Sequence, residues 1–241
     1  NMTRIRLALF TALSLIFTPL AAQDFEKGME AYKAGNLEAA IKEFSPLAEN
    51  GNAVLSMLIG DVYSSGKGVP QDSTEAFRWY KLAAEQGNAS AQFIVGASYD
   101  NGDDVPQNYE RAAFWYLLAA QQGQINAQYN IGQLYLFGEG VSKDLVSAAK
   151  WLQLAAEQGS TGAQYNLGLM YFYGDGVLQD NLMGHMWLNI ASANGDDKAG
   201  EVRDAKASLM STSAVERSQA MARECMNGGY KKCGYWAWNE H

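Results

Sequence analysis

The stretch Ala127-Gln128-Tyr129-Asn130-Ile131-Gly132-Gln133-Leu134-Tyr135, followed by Gly138-Glu139-Gly140-Val141, by Asp144 and by Ala148-Ala149-Lys150-Trp151-Leu152, decides how this chain folds. Ala127, Ile131, Leu134 and Tyr135 fall at i, i+4, i+7 and i+8, and Ala148, Trp151, Leu152 and Ala155 at i, i+3, i+4 and i+7. Each set makes one apolar stripe of a helix. The Gly-x-Gly between them supplies left-handed backbone angles that close the first helix and reverse the chain, and Asp144 is placed to cap the second. The result is a pair of antiparallel helices.

The pair is one copy of several. Glycines stand at 51, 87, 123, 159 and 195, always 36 residues apart. The same step relates Gly60, Gly96, Gly132 and Gly168; Tyr63, Tyr99, Tyr135 and Tyr171; and Trp79, Trp115, Trp151 and Trp187. Four units follow, spanning 51–86, 87–122, 123–158 and 159–194. Small residues at the helix contacts allow close approach, and the Trp of each second helix supplies apolar area. A single unit has too little core to stand alone, so neighbours must stack.

These columns resemble the Sel1-like repeat family, relatives of tetratricopeptide repeats with a longer loop between the helices. The motif that carries the likeness runs Ala127-Gln128-Tyr129-Asn130-Ile131-Gly132-x-x-Tyr135, Gly138-x-Gly140-Val141, Asp144, Ala148, Trp151 and Ala155-Ala156-x-x-Gly159. The resemblance implies an all-α, right-handed α-solenoid of four 36-residue helix-turn-helix units with capping helices at both ends. Ala31-Tyr32-x-x-Gly35-Asn36-x-x-Ala39-Ala40 and Phe44 resemble a tetratricopeptide helix pair, so 23–50 is expected to form the N-terminal cap. Residues 195–241 are expected to hold the C-terminal capping helices and a Cys-containing tail. Two departures stand out: Asp104 replaces the second loop glycine of unit two, and Gly184, in place of alanine, is expected to loosen unit four.

The 241 residues include 48% hydrophobic side chains, enough for a substantial core. Eighteen Lys plus Arg against 26 Asp plus Glu give a formal net charge of −8. No basic cluster exceeds Lys231-Lys232, so nucleic acid and anionic membrane surfaces are poor partners. Residues 2–22 run from Arg4 and Arg6 through the apolar stretch Leu7 to Phe17 into Pro19, Ala21 and Ala22, the layout of a secretory signal peptide cleaved before Gln23. The apolar run is short for a membrane span, which needs about 20 residues. The expected location is therefore periplasmic or secreted in a bacterium, without stable membrane insertion after cleavage.

That compartment favours a disulfide between Cys225 and Cys233 over free thiols or a metal site, since the only histidines, His185 and His241, are not spaced to complete a ligand set. No metal or other cofactor is expected. The aromatic end Tyr235-Trp236-Ala237-Trp238 either packs on the cap or serves as a docking peptide.

Little in the sequence points to catalysis. His185, beside Trp187, reads as a surface or groove histidine, with no nucleophile motif to strengthen it. The acidic loops Asp100-Asn101-Gly102-Asp103-Asp104 and Gly174-Asp175-Gly176 lack calcium-loop spacing and coincide with the helix-connecting loop. One cysteine-rich branch of the resembled family is associated with penicillin binding or β-lactam hydrolysis, an alternative role, but it carries a Cys pair in every repeat, which these repeats lack. The leading expectation is a non-enzymatic scaffold that binds a protein or peptide in a concave groove. The first-helix positions expected to face it are Phe93 and Asp100; Tyr129, Gln133 and Leu136; and Tyr165, Leu169 and Phe172. Phe93, Tyr129 and Tyr165 have a second reading as wedges between adjacent units.

Overall fold

The computed structural model describes residues 19–230 together with Cys233, and these residues form helices joined by turns, with no strand among them. The helices are α1 (Pro19–Lys33), α2 (Leu37–Glu49), α3 (Ala53–Ser65), α4 (Ser73–Glu85), α5 (Ala89–Asn101), α6 (Tyr109–Gln121), α7 (Ile125–Phe137), α8 (Leu145–Ala156), α9 (Thr161–Tyr173), α10 (Asn181–Ala193), α11 (Asp197–Ala207) and α12 (Thr212–Asn227). This is the all-α, tandem helix-turn-helix architecture of an α-solenoid. Of the segment read as a signal peptide, only residues 19–22, the start of α1, fall among the described residues; the aromatic end 235–238 lies outside them. No described helix is long and apolar enough to cross a membrane.

The chain divides into two compact units, one ending at Val95 and the other beginning at Gly96, within α5. In the first, α1 to α4 pack in sequence around Phe44, Leu55, Ile59 and Trp79. In the second, α6 to α11 pack each on the next, and α12 lies against α10. Its core joins Leu152, Leu167, Met186, Trp187 and Ile190 to Met221 and Cys225 of α12 and to Cys233. Cys225 and Cys233 form the expected disulfide.

Local chemistry fixes each helix end. Asp72, Asn108, Asp144 and Asp180 cap the second helices; Asp144 Oδ1, for instance, accepts from the Val146 and Ser147 amides at 3.0 and 3.1 Å. Those donors, led by the Ser147 hydroxyl, hold the Asp144 carboxyl below the usual carboxylate range. Gly66, Gly138 and Gly174 close the first helices in the left-handed conformation. The second loop glycine has a further task. At Gly176, with φ +72°, a Cβ would stand 2.0 Å from the Leu145 carbonyl oxygen, so the loop lies directly on the start of α8. Asp104, which replaces this glycine in unit two, is not in the left-handed region.

Within each repeat the two helices meet at the first-helix glycine. A Cβ on Gly132 would lie 2.8 Å from Leu152 Cγ, and one on Gly60 2.7 Å from the Tyr80 ring. Between repeats the contact is polar as well as apolar. Gln92, Gln128 and Gln164 are buried, and each donates its Nε2 to an alanine carbonyl at the end of the preceding second helix: Ala84 at 3.1 Å, Ala120 at 3.2 Å and Ala156 at 3.1 Å. Gln128 and Gln164 then accept, through Oε1, from Gln158 Nε2 at 2.7 Å and Asn194 Nδ2 at 2.9 Å. Each of these two amides therefore joins its own helix to the end of the preceding second helix and to the turn that closes the following one, adding a second donor to a helix-end carbonyl that also accepts a turn amide at 3.0 Å.

Candidate functional site

The first-helix positions expected to line a groove meet different fates. Tyr129 is a wedge: its ring carbons lie 3.1 and 3.2 Å from the Cβ position of Gly162 on α9, and it packs against the second unit's core. Gln133 is held by its neighbour, its Oε1 accepting from Asn166 Nδ2 at 2.9 Å. Asp100 accepts the Tyr116 hydroxyl at 3.0 Å, and burial followed by the Asp100 charge raises the Tyr116 phenol well above its usual pKa. Phe93 is half-buried.

Phe172 does not face a groove. It is buried in a cluster with Leu188, Ala191 and Ala199, because α11 continues the stack and covers this end of α9. Tyr165 packs against the same cluster, with the Lys198 ammonium 5.6 Å from its ring centre. Gly184 makes room for Phe172 and so tightens unit four, contrary to the loosening expected from the missing methyl: a Cβ there would lie 2.7 Å from the Phe172 ring.

His185 is likewise buried, at 1% exposure, and is not a surface or groove residue. Its Nδ1 lies 2.7 Å from Ser218 Oγ, and that hydroxyl also donates to the Val215 carbonyl at 2.8 Å. The tautomer that satisfies both contacts places the imidazole proton on Nδ1, donating to Ser218. Burial, then the Arg203 charge, lowers the His185 pKa. Ser218 is fully buried too, and the pair pins α12 to α10. Among the described residues no cluster of His, Cys, Asp or Glu is arranged to hold a metal ion.

Leu136 and Leu169 are the two expected residues that come together at an open surface. They line a cavity of about 330 Å³ formed by the ends of α7 and α9 and the start of α8. Phe137 and Tyr173, at its rim, are 63% and 59% exposed. Leu145 and Met170 complete an apolar floor, and Lys143 and Asp175 bring one charge of each sign to the edge. The corresponding cavity of the first unit is lined at the matching positions by Asp61, Ser65 and Lys67, in place of Leu169, Tyr173 and Asp175. Asp61 there accepts the Tyr80 hydroxyl at 2.9 Å. The scaffold thus repeats the hollow and changes its lining. Phe137 and Tyr173 were not among the expected groove residues, yet they share a column with Ser65 and Asn101, and a polar-to-aromatic change at one repeat position is a signal readable in the sequence.

Comparison with known proteins agrees with this architecture. A family model described as Sel1 repeat matches residues 57–88, 89–124, 125–160 and 161–196. A solved structure of c5321, described as a protective antigen of uropathogenic Escherichia coli strains displaying an SLR fold, is 34% identical with a TM-score of 0.65 over 78% of this chain and 40% of that one. A Sel1 repeat protein from Oxalobacter formigenes is 35% identical with a TM-score of 0.63, over 71% of both chains. The exopolysaccharide production negative regulator of Rhizobium leguminosarum bv. viciae is 38% identical over 56 residues, 23% of this chain. The chain matches 21% of the length of that curated relative.

Proposed function

The chain belongs to the Sel1 repeat family, and from that membership we propose that it is a non-enzymatic scaffold of the bacterial cell envelope that holds an apolar segment of a partner protein between α7 and α9. The cavity at Leu136 and Leu169 carries this reading. Its volume is within the range of small binding clefts, its floor is apolar, and its rim presents two aromatic side chains, the residue type on which binding energy concentrates. Lys143 and Asp175 at the edge would orient a segment that carries a charge at either end. The envelope location is supported by the signal-like layout of residues 2–22 and by the disulfide, which suits an oxidising compartment.

The test is a photo-activated crosslinker placed at Phe137 in the living host, identification of the captured protein, and measurement of its binding to purified chain. Leu169→Ala together with Tyr173→Ala is expected to weaken that binding at least tenfold, whereas Leu178→Ala, a 91% exposed leucine outside the cavity, leaves it unchanged. Equal affinity of all three proteins would overturn the assignment of the site. Recovery of an amino terminus at Met2 in envelope-free fractions would overturn the location.

A further inference from the structure

The lining of the groove does not end at α9. Met170 and Phe137 line the cavity together, and the same two positions one repeat on are Lys206 and Tyr173. Met170 is buried, whereas Lys206, near the end of α11, is half-buried. Its ammonium stands 4.6 Å from the centre of the Tyr173 ring and 5.6 Å from that of Phe172. The 36-residue step thus delivers a cation to the place where the previous unit has an apolar side chain in the cavity floor. Leu209, which is exposed, takes the place of Tyr173 in turn, so the apolar rim column continues past the lysine.

A cation over the rim aromatic decides what a partner can add there. The face of an aromatic ring attracts positive charge, and at Tyr173 the chain supplies that charge itself. A second cation, brought by the partner, would meet like-charge repulsion, whereas a carboxylate would be drawn to the ammonium at the edge of the ring. The acidic residue closest to Lys206 in sequence, Asp204, is held by Arg203, whose Nη2 lies 2.8 Å from its Oδ1. Lys143 and Lys206 thus outnumber Asp175 along the groove, against the net charge of −8 of the whole chain.

Neighbouring helices pack about 8–10 Å apart, and an extended chain rises about 3.3 Å per residue. A segment that crosses from the cavity between α7 and α9 toward α11 therefore reaches Lys206 about three residues from the side chain seated in the cavity. On the reading of that cavity as the partner groove, we infer that the partner is an extended segment with an apolar anchor and an aspartate or glutamate about two to four residues from it, the anchor held between α7 and α9 and the carboxylate by Lys206. Lys206 then selects among apolar segments by their charge.

The experiment selects peptides from a random displayed library on the full chain with its disulfide intact, on Lys206→Glu, on Lys206→Met, and on Leu169→Ala combined with Tyr173→Ala. Peptides selected by the full chain are expected to carry Asp or Glu at that spacing from an apolar residue more often than the library does, by about threefold. Those selected by Lys206→Glu are expected to carry Lys or Arg there instead. Lys206→Met, which gives α11 the residue that α9 has at this column, is expected to keep the circular dichroism spectrum and to lose the preference. One acidic peptide so obtained is expected to bind the full chain about threefold more tightly than Lys206→Met at low salt, and the difference is expected to shrink as salt is raised. Peptides that need Leu169 and Tyr173 but show no acidic preference, or equal affinity for the full chain and Lys206→Met, would overturn the inference and leave the groove in place. Peptides indifferent to the loss of Leu169 and Tyr173, or a selection that yields none, would overturn the groove and the role of Lys206 with it.

Discussion

The ring of Phe172 fills the space that a side chain on residue 184 would need: its Cδ2 lies 2.7 Å from the Cβ position of Gly184. The other three units have Ala76, Ala112 and Ala148 at that place, opposite Ser64, Asp100 and Leu136. The two departures of unit four are one substitution made in two parts. Gly184→Ala alone is expected to cost about 1–2 kcal/mol, overpacking set against the better helix propensity of alanine. Combined with Phe172→Leu, which restores the pairing of unit three, the cost is expected to be less than the sum of the two single changes. Denaturant unfolding of the four proteins measures the coupling; strictly additive losses would show that the ring and the glycine are independent.

Gln164 is fully buried between the Ala156 carbonyl and the Asn194 amide. Gln164→Leu takes the acceptor from Asn194 Nδ2 and the side-chain donor from the Ala156 carbonyl, which keeps the Gly159 amide at 3.0 Å, and is expected to lower stability by about 1–3 kcal/mol. An unchanged denaturation midpoint would mean that the amide ladder contributes nothing net.

Acid should weaken the packing of α12 on α10 through His185. Its folded pKa is depressed from 6.5 by burial and by Arg203, with Asp204 opposing and Ser218 at Nδ1. As pH falls through 6.5 the unfolded chain gains a proton that the folded chain does not, so this contribution to stability is complete above that value and declines below it. His185→Gln is expected to flatten the slope of unfolding free energy between about pH 6.5 and 5. Parallel slopes for the two proteins would refute the linkage.

Gly176→Ala puts a methyl against the Leu145 carbonyl and forces a left-handed angle on alanine. The expected loss is about 2–4 kcal/mol, from strain and overlap together. Gly195→Ala, where no atom of the described residues lies within 4 Å, carries only the conformational part and is expected to cost about 1–2 kcal/mol. Thermal unfolding distinguishes them, and equal shifts would show that the loop does not rest on α8.

Reducing the disulfide, or Cys225→Ser with Cys233→Ser, is expected to lower stability by about 2–3 kcal/mol. Hydrogen exchange should locate the loss in α12 rather than in α7 to α9. Uniform loosening would show that the cap and the repeats unfold as one.

What could be read from the sequence was what repeats. The 36-residue step placed the helices, and Asp144 and Gly138 marked a start and an end that the backbone then realised. Less legible was which outward stripe faces water and which faces the next copy. Helical periodicity separates core from non-core, but Tyr129 rests on Gly162 and Phe172 lies under α11, both through neighbours outside their own pair. The column held the clue in each case. His185 shares its position with the buried Ala113 and Ala149, so a core environment was signalled by its counterparts, though not by the residues beside it. The glutamines at 92, 128 and 164 were equally visible as a column, and only their bonds showed that they join units.

That column also tells where the array stops. Thirty-six residues beyond Gln164 stands Gly200, and beyond Ala156 stands Ser192, whose hydroxyl lies 2.8 Å from where a Gly200 Cβ would be. Ahead of Gln92 stands the shorter Ser56, whose hydroxyl makes only a long contact to the Ala48 carbonyl at 3.4 Å, and Gln86 Nε2 donates to the same carbonyl at 2.7 Å. A duplicated module spliced in at Gly123 or Gly159 would find donor and acceptor waiting at both seams. After α10 the acceptor carbonyl is still there, on Ser192, but Gly200 has no side chain to reach it, so the rungs of amide stop at α11.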